Sequence, residues 1–425
     1  MAIERLEPGW RGGPEASGGG TRQRVGFDAR PGLAWLLIKN FLLTLVTLGF
    51  YRFWARVRVR RYFWSGIRLA DEPLEYTGTG LELFIGFLIA IAVIAPFGIG
   101  YVVLKRISLG NPLATGALSA AYFAFLIIFV QLVSFRARRY RLSRSAWRGI
   151  GARQTGSAWR YVGIFLMTGL LTVMTLGICA PWNSVACQRY KINNTWFGDS
   201  RFTVEAKAGD LLPAWIAVLA LLVVPALVAI GLNLSIFSVA AHAQGQVHPA
   251  VKTPHPGAFL LLLVTFFAGI PALIVYWVAQ FRYLASRTRL GEISFHSAAR
   301  GGPVVWRSVL FGIALGATFL VLFGGFMEIA LVVGAKGAAV GASAAQKATA
   351  IKSAAIILLP AGIGFYILAI MMTQILAYCV LRLGVLRHLA TTLEIENFAA
   401  VEQVVQSSAP RQRFGIADSF EFGAF

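Results

Sequence analysis

Six stretches of this chain run for more than twenty residues with almost no charge: 80–104, 113–135, 211–231, 257–281, 304–334 and 353–381. A helix needs about 20 apolar residues to cross a hydrocarbon core of roughly 30 Å, and a chain in lipid must satisfy its backbone internally. These stretches therefore set the class: a mainly α, polytopic membrane helix bundle of about six full spans in three hairpins, 80–135, 211–281 and 304–381. Composition agrees, with 57% hydrophobic and only 13% charged residues, where a soluble domain carries roughly a quarter charged.

Two further apolar segments, 33–53 and 159–182, are interrupted, the first near Gly49 and the second at Pro181. They are related. Between 42–62 and 170–190, ten of 21 positions are identical, among them Thr47-Leu48-Gly49, Trp54 and Arg61-Tyr62 against Thr175-Leu176-Gly177, Trp182 and Arg189-Tyr190. The chain accordingly divides into a flexible N-terminal tail (1–32), a first unit (33–158), a second unit (159–402) and a C-terminal tail (403–425), with the stretch after 381 expected to fray.

Charge parity decides how the two interrupted segments sit. If both re-enter, or lie at the interface, and leave on the face they entered, 29 of the 39 Lys and Arg fall on one side and six on the other. That side is then cytoplasmic by the positive-inside rule, and both termini share it. Eight full crossings is the competing arrangement, and it would alternate the basic stretches. The net charge of +21 is thus a topogenic signal drawn to anionic headgroups rather than a nucleic-acid footprint.

A shorter repeat runs through the basic connectors. Arg61-Tyr62, Arg139-Tyr140, Arg189-Tyr190, Arg282-Tyr283 and Arg387-His388 each close a helix. Ser65, Ser143, Asn193, Ser286 or Thr391 follows three residues on, and an apolar Leu69, Trp147, Phe197, Leu290 or Ile395 four later. Several copies continue in alternation, as in Arg201-Phe202-Thr203-Val204-Glu205, the mark of a half-buried strand. Short cytoplasmic β-hairpins pairing into a small sheet are expected; irregular loops are the competing reading.

The run Asn40-Phe41-Leu42-Leu43-Thr44, Thr47-Leu48-Gly49, Trp54 and Arg61-Tyr62, with Glu75-Tyr76-Thr77-Gly78-Thr79-Gly80, Trp147-Arg148-Gly149 and the second copy at 175–198, resembles the YjgN-like family of bacterial inner-membrane proteins, a domain of unknown function numbered 898. The resemblance covers roughly residues 25–400 and implies a bacterial inner-membrane location. It carries no functional residues. Where the second copy has Pro181 the first has Phe53, which leaves open whether the two breaks share one geometry.

Candidate residues rest on physics alone. Glu328 lies inside an apolar helix, where a carboxylate is costly unless neutral or paired. Lys39 and Asn40 could line a polar cavity, or Lys39 could snorkel to the headgroups. Arg58, Arg61, Tyr62, Arg138, Arg139, Tyr140, Arg189, Tyr190, Arg282 and Tyr283 are candidates for the lipid-headgroup interface. His242, His248 and His255 have no metal-ligand spacing and read as a solvated loop. Cys179, Cys187 and Cys379 read as buried thiols. The chain has no Walker A loop, HExxH, GxSxG or paired carboxylates, so neither an enzyme nor a cofactor is expected. The function expected is transport or lipid and small-solute handling along a polar path beside the interrupted segments, and the alternative is a non-enzymatic membrane scaffold docking a cytoplasmic or membrane partner.

Overall fold

In a computed structural model of the chain, residues 22–242, 256–337 and 344–406 are described. The first strands, β1 (Gln23–Arg24) and β2 (Gly26–Phe27), are two ends of one extended run joined at Val25. Five units follow, each a pair of helices and then strands. The first has α1 (Leu33–Val46), α2 (Arg52–Gly66), β3 (Ile67–Leu69), β4 (Glu72–Pro73) and β5 (Glu75–Tyr76); the second has α3 (Gly80–Ile107), α4 (Pro112–Ser143), β6 (Ser145–Trp147) and β7 (Ile150–Gln154). The third has α5 (Ala158–Met174), α6 (Ala180–Asn193), β8 (Thr195–Phe197) and β9 (Ser200–Val204). The fourth opens on a 3₁₀ turn, Ala208–Leu211, and has α7 (Leu212–His242), α8 (Pro256–Ser286), β10 (Thr288–Leu290) and β11 (Ile293–Ser297). The fifth has α9 (Gly301–Gly337), α10 (Ala344–Leu376), a π-helical stretch at Ala377–Arg382, α11 (Leu383–Thr391) and β12 (Leu393–Glu396).

Six of the described helical runs are long and apolar enough to cross a membrane, and few of their residues are buried within the protein. Their leucines, valines and phenylalanines stand outward instead, as lipid-facing helices require. The units join side by side through apolar clusters. Phe53 and Val57 of the first unit meet Leu83 and Tyr140 of the second; Phe135 of the second meets Tyr161 and Cys187 of the third. Val185 meets Leu211 and Leu284, and Val278 meets Val304 and Leu389. The last cluster returns to the beginning, packing Leu33, Leu37 and Phe63 against Ile375, Tyr378 and Leu386. The contacts thus group the chain into five units in cyclic order.

The strands close the same circle. β5 through β12 pair in sequence order, all antiparallel, and β12 pairs with β1. β2 pairs with β3, and β3 with β4. Because Val25 joins β1 to β2 and Leu74 joins β4 to β5, the ladder runs round to its own start. Val25 N–H donates to Leu393 O and Leu74 N–H to Ile67 O, both at 3.0 Å, so the joints are bonded too. The inside of the ring is apolar. Trp147, Leu290 and Ile395 are buried there, with Leu69 and Phe197 packed against them, so the five equivalent positions of the short repeat meet in one core. The closed ladder leaves few edges free.

Both ends of the described chain are more ordered than the sequence suggests. Residues 23–27 are strand, too short for an alternation signal, and Val25 is buried. After β12 a 3₁₀ turn, Phe398–Gln403, puts Phe398 and Val401 into the ring core. Asp199 N–H then donates to Val405 O at 3.0 Å and Gly151 N–H to Gln406 Oε1 at 2.7 Å. The expected fraying after 381 is therefore not found up to residue 406.

The two interrupted segments are short helical hairpins, α1–α2 and α5–α6, with one turn geometry. Leu48 and Gly49 have φ of 50° and 93°; Leu176 and Gly177 have 50° and 92°. Gly49 N–H reaches Thr44 O and Gly177 N–H reaches Thr172 O, each at 2.7 Å. Thr47 Oγ1 accepts from Tyr51 N–H at 2.9 Å and Thr175 Oγ1 from Cys179 N–H at 3.1 Å, beginning the return helix. The Thr-Leu-Gly repeat thus reads as a cap, an apex and a left-handed position that favours glycine. Pro181 is not the break. It lies in the first turn of α6, where a missing N–H costs little.

Replacing Trp147, 2% exposed, with alanine is expected to destabilise the protein by about 3–5 kcal/mol. The same change at Trp159, 63% exposed, should stay within about 0.5 kcal/mol. Thermal unfolding in detergent compares the two.

Candidate functional site: arginine–aromatic clamps and a basic groove

The arginine–aromatic pairs close each helix pair, and three of the five arginines grip the start of the next. Arg61 donates to Gly78 O at 3.0 Å, and Arg139 and Arg189 reach Gly156 O and Ala206 O. In all three the acceptor lies 17 residues on, two residues before the next helical element begins. The aromatic reaches back to the start of its own unit. Tyr190 Oη accepts from Ser157 N–H at 2.8 Å and donates to Ser157 O at 2.9 Å. Tyr283 does the same with Lys207, at 2.8 and 3.1 Å. His388 Nε2 lies 3.2 Å from Arg300 N and 3.1 Å from Arg300 O.

Tyr140 departs from the pattern. It donates to Glu82 Oε2 at 2.6 Å, and that carboxylate also pairs with Arg144 and closes a capping box with Thr79. Tyr62 donates to Arg30 O. The helix starts at 78–79, 156–157 and 206–207 are therefore each held from two neighbouring units. The hydroxyl three residues on acts locally, since Ser65, Ser143 and Ser286 donate to the carbonyls of Tyr62, Tyr140 and Tyr283 at 3.1, 2.8 and 2.9 Å. Those carbonyls lie near the end of a helix.

Most residues read as headgroup contacts therefore have intramolecular partners. Arg58 is exposed, 5.3 Å from the Tyr51 ring. Arg138 is half-buried, and Arg282 is exposed at the end of α8. The polar residues read as intramembrane do not come together. Glu328 is exposed on α9, Lys39 is exposed on α1, and neither lines a described cavity. Asn40 is buried between α1 and α2, with its amide 3.5 Å from Ala55 O. The second hairpin bridges its helices at the same two positions with Thr168 donating to Asn183 Oδ1 at 2.9 Å. His248 and His255, and the side chain of His242, lie outside the described residues.

Sequence reasoning missed a cavity of about 550 Å³ between α5, α6 and the β8–β9 hairpin. Arg160, Arg189 and Arg201 line it with Asn193, and no acidic residue does. Its deep wall is Ile164 and Ala186. The spacing of Arg160 and Ile164 on α5, with Ser157 at its N-cap, and of Ala186, Arg189 and Asn193 on α6, was legible once both segments were placed as one hairpin. Close by, Lys191 is half-buried beside the Tyr161 ring at 4.9 Å. Burial first, then the positive charge of Arg138, pushes its pKa down to about 8.

The fold and these clamps define a class: multi-pass membrane proteins whose helix pairs stand on a closed ring of strands. Residues 30–319 match the family described as "Bacterial protein of unknown function (DUF898)". The chain belongs to that family. It is also 24% identical over 332 residues, 67% of this chain and 80% of the relative, to the protein called "Inner membrane protein YjgN" of Salmonella typhimurium. No solved structure matches it.

Replacing Tyr190 with phenylalanine removes both contacts to Ser157 and should lower stability by about 1 kcal/mol, read by unfolding in detergent. Lys191 gives a pH dependence. Its folded pKa lies below the ordinary 10.5, so between about pH 8 and 10.5 the unfolded chain holds the extra proton and stability rises with pH. Lys191→Met should flatten that rise.

Proposed function

We propose that this protein is a non-enzymatic scaffold of the bacterial inner membrane that holds and organises lipid in one leaflet, with its β-ring and both termini on the cytoplasmic side. The observation that carries the proposal is the apex of the two short hairpins. Leu48 and Leu176 are 90% and 87% exposed at the turns, next to Val46 at 80% and Met174 at 73%. Such apices are costly in water and favoured in lipid. Helices of 14 and 17 residues rise about 21 and 25 Å at 1.5 Å per residue, short of a core of roughly 30 Å. Each hairpin dips into the membrane from the ring side and returns.

The basic balance supports the orientation, since the ring-side ends of the helices together with the connectors and ring strands carry most of the arginines. The inner-membrane name of the Salmonella relative supports the location. Transport finds less support, because Glu328 is exposed on α9, Lys39 is exposed on α1 and Asn40 is buried against α2, and the ring interior is filled by Trp147, Phe398 and their neighbours.

Spin labels at Leu48→Cys and Leu176→Cys test the reading in reconstituted vesicles. Both should be relaxed by oxygen dissolved in the bilayer and shielded from a water-soluble nickel chelate. Dominant collisions with the nickel chelate at either site would overturn it. Labels at Ala70 and Arg148 should respond to reagents added on the cytoplasmic side alone.

A further inference from the structure

The groove beside α5 and α6 combines three arginines, an open mouth and an apolar wall without any carboxylate. We infer that it is a binding site for one phosphate-bearing anion, and that its occupant is the headgroup of an acidic phospholipid. The inference deepens the lipid-holding reading above and rests on it only for the source of the phosphate.

Arg160 is exposed at the mouth of the cavity and has no hydrogen-bond or ion-pair partner among the described residues. Arg189 spends one contact on Ala206 O and Arg201 one on Asn193 O, and a guanidinium has five N–H donors to share. Such donors match phosphate oxygens in number and shape. The first turn of α5 adds to the site, since it has neither a capping side chain nor an acidic residue.

The related hairpin supplies an internal comparison. Asp28 N–H donates to Gly66 O at 2.8 Å, and Thr155 N–H donates to Asn194 O at 2.8 Å; Gly66 and Asn194 are equivalent by the 128-residue repeat. Where the first hairpin thus carries Asp28, which pairs with Arg68 at 3.1 Å, the second carries uncharged Thr155. By the same repeat Arg189 matches Arg61, whereas Arg160 and Arg201 fall where the first copy has Gly32 and Pro73, so the cluster of three arginines belongs to the second hairpin alone.

The apolar wall selects the source. Ile164 lies one turn deeper along α5 than Arg160, and Ala186 nearly one turn deeper along α6 than Arg189. An amphiphile with its phosphate at the mouth lays an acyl chain along them, whereas free phosphate leaves them uncovered.

The test uses the full chain in dodecyl maltoside, titrated with dioleoyl phosphatidylglycerol and followed by native mass spectrometry. The unaltered protein should bind one lipid saturably, more tightly than dioleoyl phosphatidylcholine. Arg160→Glu should weaken that binding about five- to tenfold, Arg160→Lys should retain it, and Arg289→Gln, an exposed arginine on β10, should leave it unchanged. Equal affinity in Arg160→Glu and the unaltered protein would overturn the site, as would an equal loss in Arg289→Gln. Inorganic phosphate displacing the lipid at matched concentration would overturn the lipid assignment. The spin-label depth at Leu176 reports independently, so a failed site with a lipid-immersed apex leaves the scaffold reading standing.

Discussion

The structure depends on one constraint: the start of each helix pair must be fixed relative to a ladder of strands only two to five residues long. Strands that short bury little, and their hydrogen bonds alone would not orient helices of 28 residues and more. The arginine–aromatic pairs supply the orientation. A guanidinium from one unit and a phenol from the next converge on adjacent backbone groups, as at Gly156 and Ser157. The second and third units are thereby indexed to both neighbours. Donors with positive charge at a helix C-terminus are also favoured by the peptide dipoles there.

Charge acts twice in this chain. Its excess biases the side of the membrane on which the connectors remain, and the same arginines then bond carbonyls within the connectors. The few acidic residues serve the second role. Glu82 joins α3 to α4 through Tyr140 and Arg144, Glu72 holds Arg148 at 2.7 Å, and Glu394 holds Arg24 at 2.8 Å.

Much of this was legible in the sequence, because lipid imposes length and apolarity so strictly that the six long helices and the two short segments stand out. The short repeat also revealed the spacing of its core position, and Leu69, Trp147, Phe197, Leu290 and Ile395 share one interior. What stayed hidden depends on partners distant in sequence. Residues 23–27 look like tail until β12 and β3 flank them, and the segment after Asn397 looks polar although Phe398 and Val401 are what the ring encloses. Tyr140 and Tyr190 have the composition of interfacial anchors, and only the position of Glu82 and Ser157 makes them structural. The groove at Arg160 needed the fold, since its residues come from three elements.

The seam between β1 and β12 has a consequence for biosynthesis. Gln23 pairs with Ile395 and Arg24 with Glu394, so the earliest described strand pairs only once the latest has been made. Until then a growing arc of units exposes two unpaired ends to its surroundings. The ring therefore cannot close before residue 396 has been added to the chain.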